Sequence, residues 1–174
     1  MFPEVNAVAE WFLKNPTKTA HIREIARLTG FSPAGALKAL KKLIKQDLVF
    51  EMRTKVVTNY QAKRESPKWL PIKRAYNFYS LYASGVVEEL VKAYEEPDAI
   101  VLFGSYTQGN DTEKSDIDLA IVTSLEKTPD LSKFEKVLMR KINILELDIS
   151  KAKKEFLNNL ANGIVLHGYL TLIP

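Results

Sequence analysis

The sequence predicts a two-part α+β protein, within the broader α/β class, and three observations carry that prediction. Two short apolar runs, Ala99 to Phe103 and Ile117 to Val122, have the unbroken, partly β-branched character of buried strands. A basic N-terminal half shows helical spacing of apolar residues and then two strand-like runs. Between the halves, Lys63 to Pro71 is basic, holds two prolines and reads as a linker.

The first helix is expected from Pro3 to Lys14, with Val5, Val8, Ala9, Trp11 and Phe12 as its apolar face. A second is expected from His21 to Leu28, with Ile22, Ile25 and Ala26 inward, ended by Gly30. Ser32-Pro33 supplies an N-cap and a proline at the first helical position for a third helix, Pro33 to Gln46. That helix sets Leu37, Leu40 and Ile44 on one stripe and Lys38, Lys41, Lys42 and Lys45 on another. Ala34 and Gly35 at its start are small enough for close approach to a phosphate backbone. Leu48 to Arg53 and Val56 to Lys63 then read as two strands around a tight Thr54-Lys55 turn, a hairpin with a basic tip. From Ile72 to Glu96 the pattern is helical with a kink at Ser84-Gly85. Its Tyr76, Phe78, Tyr79 and Tyr82 suit a core between domains or between two copies in a homodimer, with a nucleotide-stacking platform as the alternative.

Composition and charge bound the function. The 174 residues suffice for two compact domains, and 46% apolar with 26% charged residues is ordinary for a globular chain. The absence of cysteine excludes disulfides, thiolate zinc sites and cysteine nucleophiles, and is compatible with the cytoplasm. The opening MFPEVNAVAEWFLKN has no basic n-region with a long apolar core, and no apolar run approaches the roughly 20 residues needed to span a bilayer, so a cytoplasmic location without membrane contact is expected. Residues 1–75 hold 15 Lys and Arg against 6 Asp and Glu, whereas residues 76–174 hold 10 against 15. The N-terminal half therefore carries net +9 and the C-terminal half −5. A basic half of this size points first to nucleic acid, and second to solubilising charge.

The chemistry is concentrated around Gly104-Ser105 and Asp116-Ile117-Asp118. Glycine lets the backbone turn sharply at the end of a strand, and the serine hydroxyl with nearby amides can donate to phosphate oxygens. Asp116 and Asp118, two apart on a strand, place both carboxylates on one face. Two like charges so close need a cation, and Mg²⁺ takes one or two carboxylates together with phosphate oxygens and water. Tyr106 to Ser115 reads as a polar loop carrying the turn signal Gly109-Asn110-Asp111. The plain alternative is an ordinary strand-to-loop turn with solvated strand-end charges. Chance recurrence of the four fixed positions in a chain this long is on the order of 10⁻³, which favours a nucleotide and metal site.

The segment LFGSYTQGNDTEKSDIDLAIV resembles the signature of the minimal nucleotidyltransferase group of the DNA polymerase beta-like nucleotidyltransferase superfamily. The resemblance spans about residues 97–174. It implies a small fold with a mixed sheet flanked by helices and a glycine-serine turn holding a nucleoside triphosphate such as ATP. It also implies two Mg²⁺ ions bound by carboxylates, with Asp116 and Asp118 as catalytic and metal-binding residues. A third acid belongs on a later strand, and Lys141-Ile142-Asn143-Ile144 stands in its place, so Asn143 is at most a weak metal ligand. Glu146 and Asp148, on the expected strand Ile142 to Ile149, alternate to the face opposite Asn143; they read as solvent-facing partners of lysines unless a bulge redirects Glu146. The family also often carries an arginine near the position of Gln108. Lys151 to Asn162 is expected to be an amphipathic helix, and the tail after it resembles the closing segment of the group. His21 and His167 have no partner pattern and receive no role.

Residues 5–63 resemble a winged helix-turn-helix domain, which implies duplex DNA binding through Lys38, Lys41, Lys42 and Lys45, with Arg53 and Lys55 at the wing. A protein-docking module is the alternative, and no arginine, asparagine or glutamine that could read bases stands at the start of the third helix. The expected domains are a winged helix-turn-helix over 1–64, a linker and connecting helices over 65–96, and a nucleotidyltransferase domain over 97–174. Within the resembled group, a common arrangement is an antitoxin that adenylylates a HEPN-type toxin partner.

Overall fold

The computed structural model describes residues 5–172, and its packing divides the chain into two compact units, Met1–Lys73 and Arg74–Pro174. The first contains α1 (Ala7–Lys14), β1 (Thr19–His21), α2 (Ile22–Thr29), α3 (Pro33–Lys45), β2 (Val49–Arg53) and β3 (Thr58–Ala62). Its antiparallel sheet has the order β1-β3-β2. Three helices followed by a hairpin against a short strand make a winged helix-turn-helix, with α2 and α3 joined through Gly30, Phe31 and Ser32.

Local caps set the helix starts. The Asn6 side-chain carbonyl accepts from the amides of Val8 and Ala9 at 3.1 and 3.0 Å, which starts α1 at Ala7. The expected start at Pro3 lies outside the described residues, and Val5, half exposed, is not part of the buried face of Val8, Ala9, Phe12 and Leu13. Ser32 Oγ accepts from the Gly35 amide at 3.1 Å and begins α3, a cap worth about 1 kcal/mol. Ala36, Ala39, Leu40 and Leu43 form the buried stripe of α3. The expected Leu40 is buried, whereas Leu37 and Ile44 are only half-buried, because the stripe is centred on Ala36, Ala39, Leu40 and Leu43. β1 is too short to show a period in sequence. The hairpin loop is longer than expected: Thr54 Oγ1 accepts from the Val57 amide at 3.0 Å, the second strand begins at Thr58, and Val56 is fully solvated.

The stretch read as a linker is held in place. Asp47, in the left-handed region at φ 64, accepts from the Lys63 ammonium and from Ser66 Oγ, and these donors hold its carboxyl below the usual range. Ser66 and Trp69 are buried. The next helix, α4 (Trp69–Ser84), begins before Ile72 with Pro71 inside its first turn, where a missing amide proton costs nothing. Gly85, at φ 79, separates it from α5 (Val86–Ala93) at the expected kink.

In the second unit, β4 (Ala99–Phe103), α6 (Gly104–Gln108), β5 (Ile117–Val122), α7 (Ser132–Leu138), β6 (Ile142–Leu147), α8 (Lys154–Ala161) and β7 (Ile164–Gly168) follow in order. The sheet runs β6-β5-β4-β7; β4 is antiparallel to both neighbours and β5 is parallel to β6, so it is mixed. Alternation divides its side chains between two cores. Ile100, Leu102, Ile117, Leu119 and Ile121 pack with Leu81, Leu90, Tyr94, Phe134 and Leu138. Ala99, Val101, Ala120 and Val122 pack with Leu160, backed by Phe156 and Leu157. Tyr82 joins the first core and donates to the Leu166 carbonyl at 2.7 Å, whereas Tyr79 is exposed; the aromatic run is therefore not one platform. A 3₁₀ turn, Ile149–Lys151, closes β6 early and replaces the first turn of the helix expected from Lys151. No helix among the described residues is long and apolar enough to cross a membrane.

Candidate nucleotide and metal site

Strand register builds the site. Phe103 at the end of β4 lies opposite Asp118 on β5, so the chain leaves β4 beside the Asp118 side chain. Gly104 stands at φ +76, and a Cβ there would lie 2.7 Å from Asp118 Oδ2. Glycine is required twice at this position, for the backbone conformation and for the approach of a carboxylate. Ser105 follows in α6. On the other side of β5, Asn143 of β6 lies opposite Asp118. Its Nδ2 donates to Asp118 Oδ1 at 3.0 Å and to Asp116 Oδ2 at 3.2 Å. Gly104, Asp116, Asp118 and Asn143 are thus brought together at one end of the sheet.

With the amide nitrogen toward the carboxylates, Asn143 acts as a donor; the reverse orientation would set its carbonyl oxygen against two anions. The second oxygen of Asp118, Oδ2, faces Gly104 at the start of the glycine-serine turn. Among the described residues no group of three or more His, Cys, Asp or Glu side chains forms a metal cluster.

The other acids of β6 are engaged elsewhere. The β5–β6 register runs unbroken from Ile117 opposite Ile142 to Val122 opposite Leu147, so no bulge redirects Glu146. Half-buried on the opposite face, Glu146 accepts from the Tyr94 hydroxyl and, at 2.8 Å, from the Lys127 amide. It is therefore not the solvent-facing lysine partner expected. Burial, reinforced by this carboxylate, pushes the Tyr94 hydroxyl above its ordinary range. Asp148 does pair with a lysine, Lys151, at 3.0 Å, and the Ser150 hydroxyl with that ammonium brings its carboxyl down to about 2.

The segment expected to be a polar loop from Tyr106 starts as α6, with Tyr106 and Thr107 buried. Beneath it lies a polar floor that sequence reasoning missed. Buried Asn77 of α4 donates to the Tyr106 carbonyl at 2.8 Å and to Asp111 Oδ1 at 2.7 Å, and Asp111 Oδ2 lies 3.6 Å from Arg140 Nη2. Burying this carboxylate is tolerable because donors from two elements meet it. Tyr106 shares a hydrogen bond with Ser80, and burial pushes its hydroxyl up to about 12. Asp111 reads in sequence as a turn residue, and its partners lie far along the chain, so only the lone asparagine among the α4 aromatics could have signalled the floor. Arg74 Nε donates to the Thr107 carbonyl at 3.2 Å, next to Gln108. A cleft of about 490 Å³ opens beside Asp116, with Lys114, Ser115, Lys136 and Lys141 on its walls.

The basic residues of the first unit lie on its own surface. Lys38, Lys41, Lys42 and Lys45 are all exposed on α3, and Lys55 is exposed at the hairpin tip. Arg53, expected at the wing, is exposed but forked onto Glu51, with Nη2 at 2.7 Å and Nε at 2.8 Å. Such an exposed pair is weak, at ~0–1 kcal/mol, and is exchangeable. His21 caps α2 through Nδ1, and His167 Nε2 lies 3.4 Å from Glu96.

Residues 86–169 match the family profile described as "Polymerase beta, Nucleotidyltransferase", which supports a nucleotidyltransferase-type enzyme domain over that stretch. No curated protein matches the chain. Among solved structures, a ZitR mutant from Lactococcus lactis is 22% identical, with 52% of this chain and 62% of that chain covered and a TM-score of 0.41. Another ZitR mutant, in complex with DNA, is 20% identical over 53% and 63% of the two chains, with a TM-score of 0.43. The adhesin competence repressor AdcR from Streptococcus pyogenes is 20% identical over 51% and 66%, with a TM-score of 0.40. The chain spans 62% of the length of the first of these and 66% of the last.

Gly104→Ala adds a Cβ where neither the backbone angle nor Asp118 leaves room. The expected loss is about 1–3 kcal/mol of stability in urea unfolding. An unchanged midpoint would contradict the tight approach of Gly104 to Asp118.

Proposed function

We propose that this protein is a Mg²⁺-dependent nucleotidyltransferase that moves a nucleoside monophosphate, AMP from ATP, onto an acceptor hydroxyl. The observation that carries the reading is the approach of Gly104 to the Asp118 carboxylate, fixed by the pairing of β4 with β5, with Asp116 joined to Asp118 through Asn143. In this reading Gly104 and Ser105 would hold the triphosphate, and Asp116 and Asp118 would hold Mg²⁺. Bound Mg²⁺ would neutralise charge developing on the leaving group. The acceptor oxygen forms a bond to the α-phosphorus, the bond from that phosphorus to the bridging oxygen breaks, and pyrophosphate departs with that electron pair. The acceptor hydroxyl's proton passes to solvent water, because the Asn143 amide cannot serve as a base.

That same residue favours a second reading, a DNA-binding regulator whose nucleotidyltransferase domain binds nucleotide or a partner without efficient transfer. In either reading residues 1–64 act as a winged helix-turn-helix domain on duplex DNA, residues 65–96 connect, and residues 97–174 carry the nucleotide site. Exposed Lys38, Lys41, Lys42 and Lys45 on one face of α3, with Lys55 and Arg53 at the hairpin, support the DNA surface. The resemblance to minimal nucleotidyltransferases makes an antitoxin acting on a HEPN-type toxin in the cytoplasm the biological role to examine.

Incubation with Mg²⁺ and α-labelled ATP is expected to release pyrophosphate or label an acceptor, and Asp116→Ala/Asp118→Ala is expected to reduce the signal to background. A signal unchanged in the double variant would remove these aspartates from the site. Duplex binding by the full chain is expected to fall steeply with salt, at a log-log slope of roughly −0.9 per phosphate contacted. Lys41→Glu/Lys42→Glu should weaken it further in electrophoretic shift assays, and indifference to both changes would leave the winged unit as a docking module.

A further inference from the structure

Asn143 does more than leave a carboxylate out. Its amide nitrogen spans both aspartates and takes Oδ2 of Asp116 and Oδ1 of Asp118 as acceptors. A carboxylate in its place would add one negative charge and two acceptor oxygens, which is what a second divalent ion in a shared site requires. The amide instead supplies protons to one oxygen of each aspartate. One oxygen of each aspartate remains, Asp116 Oδ1 and Asp118 Oδ2, the latter on the Gly104 side. Glu146 offers no substitute, because it faces the opposite core against Tyr94 and the Lys127 amide. Asp148 lies beyond the end of β6 and caps the 3₁₀ turn through Ser150.

We propose that the site holds a single divalent cation, delivered with the nucleotide, and that the Asn143 side-chain amide occupies the place of a second ion. The inference rests on the nucleotide and metal reading above and deepens it. Asn143 then fixes the two carboxylates as a pair in the absence of metal, in part offsetting their mutual repulsion. It thereby orders the site for a metal-bound nucleotide while withholding the second metal position.

The test uses the full-length chain, Mn²⁺ and the non-transferable probe α,β-methylene-ATP, read by electron paramagnetic resonance. The native chain should retain one Mn²⁺ with an isolated-ion spectrum. Asn143→Asp should retain two with the coupled spectrum of ions about 3.5–4 Å apart. Asn143→Ala, which removes the donor without adding a carboxylate, should stay at one. Two coupled ions in the native chain, or a single ion in a folded Asn143→Asp chain, would overturn the single-ion inference alone. A native chain that retains none would overturn it together with the nucleotide and metal reading, so the two failures are distinguishable.

Discussion

The antiparallel pairing of β4 with β5 is the constraint on which the candidate site depends. Because Phe103 faces Asp118, the chain leaves β4 directly against a carboxylate, and only a residue without a side chain, in a left-handed backbone conformation, can make that exit. Shifting the register by one residue would move Asp116 and Asp118 to the other sheet face, into the core of Leu90, Tyr94 and Phe134. The strands cannot slip, since Ile117, Leu119 and Ile121 are buried on that face and Ala120 and Val122 on the other. Burial of the strands thus fixes the position of the acids that stay at their edge.

A second constraint holds the glycine-serine helix from below. The segment between Gly104 and Asp116 is anchored through Asn77, Asp111 and Arg140, drawn from three separate parts of the unit. A buried carboxylate met by an amide and a guanidinium costs little while all three are present and much once one is removed. The floor therefore supports the placement of the site without adding a group that touches it.

Much of this was legible in sequence where a signal is local. The Ser32 cap, the Gly30 stop, the Gly85 break and the strands Ala99–Phe103 and Ile117–Val122 follow from residues within a few positions of one another. The common face of Asp116 and Asp118 follows from strand alternation, whereas the parallel register that sets Asn143 opposite Asp118 is seen only in the structure. What sequence did not reveal depends on distant partners. Lys63 and Ser66 look like linker residues until Asp47 collects them, and Asp111 looks like a turn until Asn77 and Arg140 reach it. Half of the buried stripe of α3 is alanine, Ala36 and Ala39 beside Leu40 and Leu43, and a search for large apolar side chains passes over such small residues.

The two units divide the charge as well as the fold. The basic surface lies on α3 and the hairpin, and the acidic pair lies at the end of β5, its charge already shared with one amide. The proposed site would hold metal-bound nucleotide where β4 ends against β5. Backbone amide chemical-shift mapping by NMR with Mg²⁺ and α,β-methylene-ATP tests it most directly. Perturbations are expected to concentrate at Gly104 to Gln108, at Asp116 to Asp118 and at Asn143. Perturbations absent there, or centred on α8 or the winged unit, would contradict it.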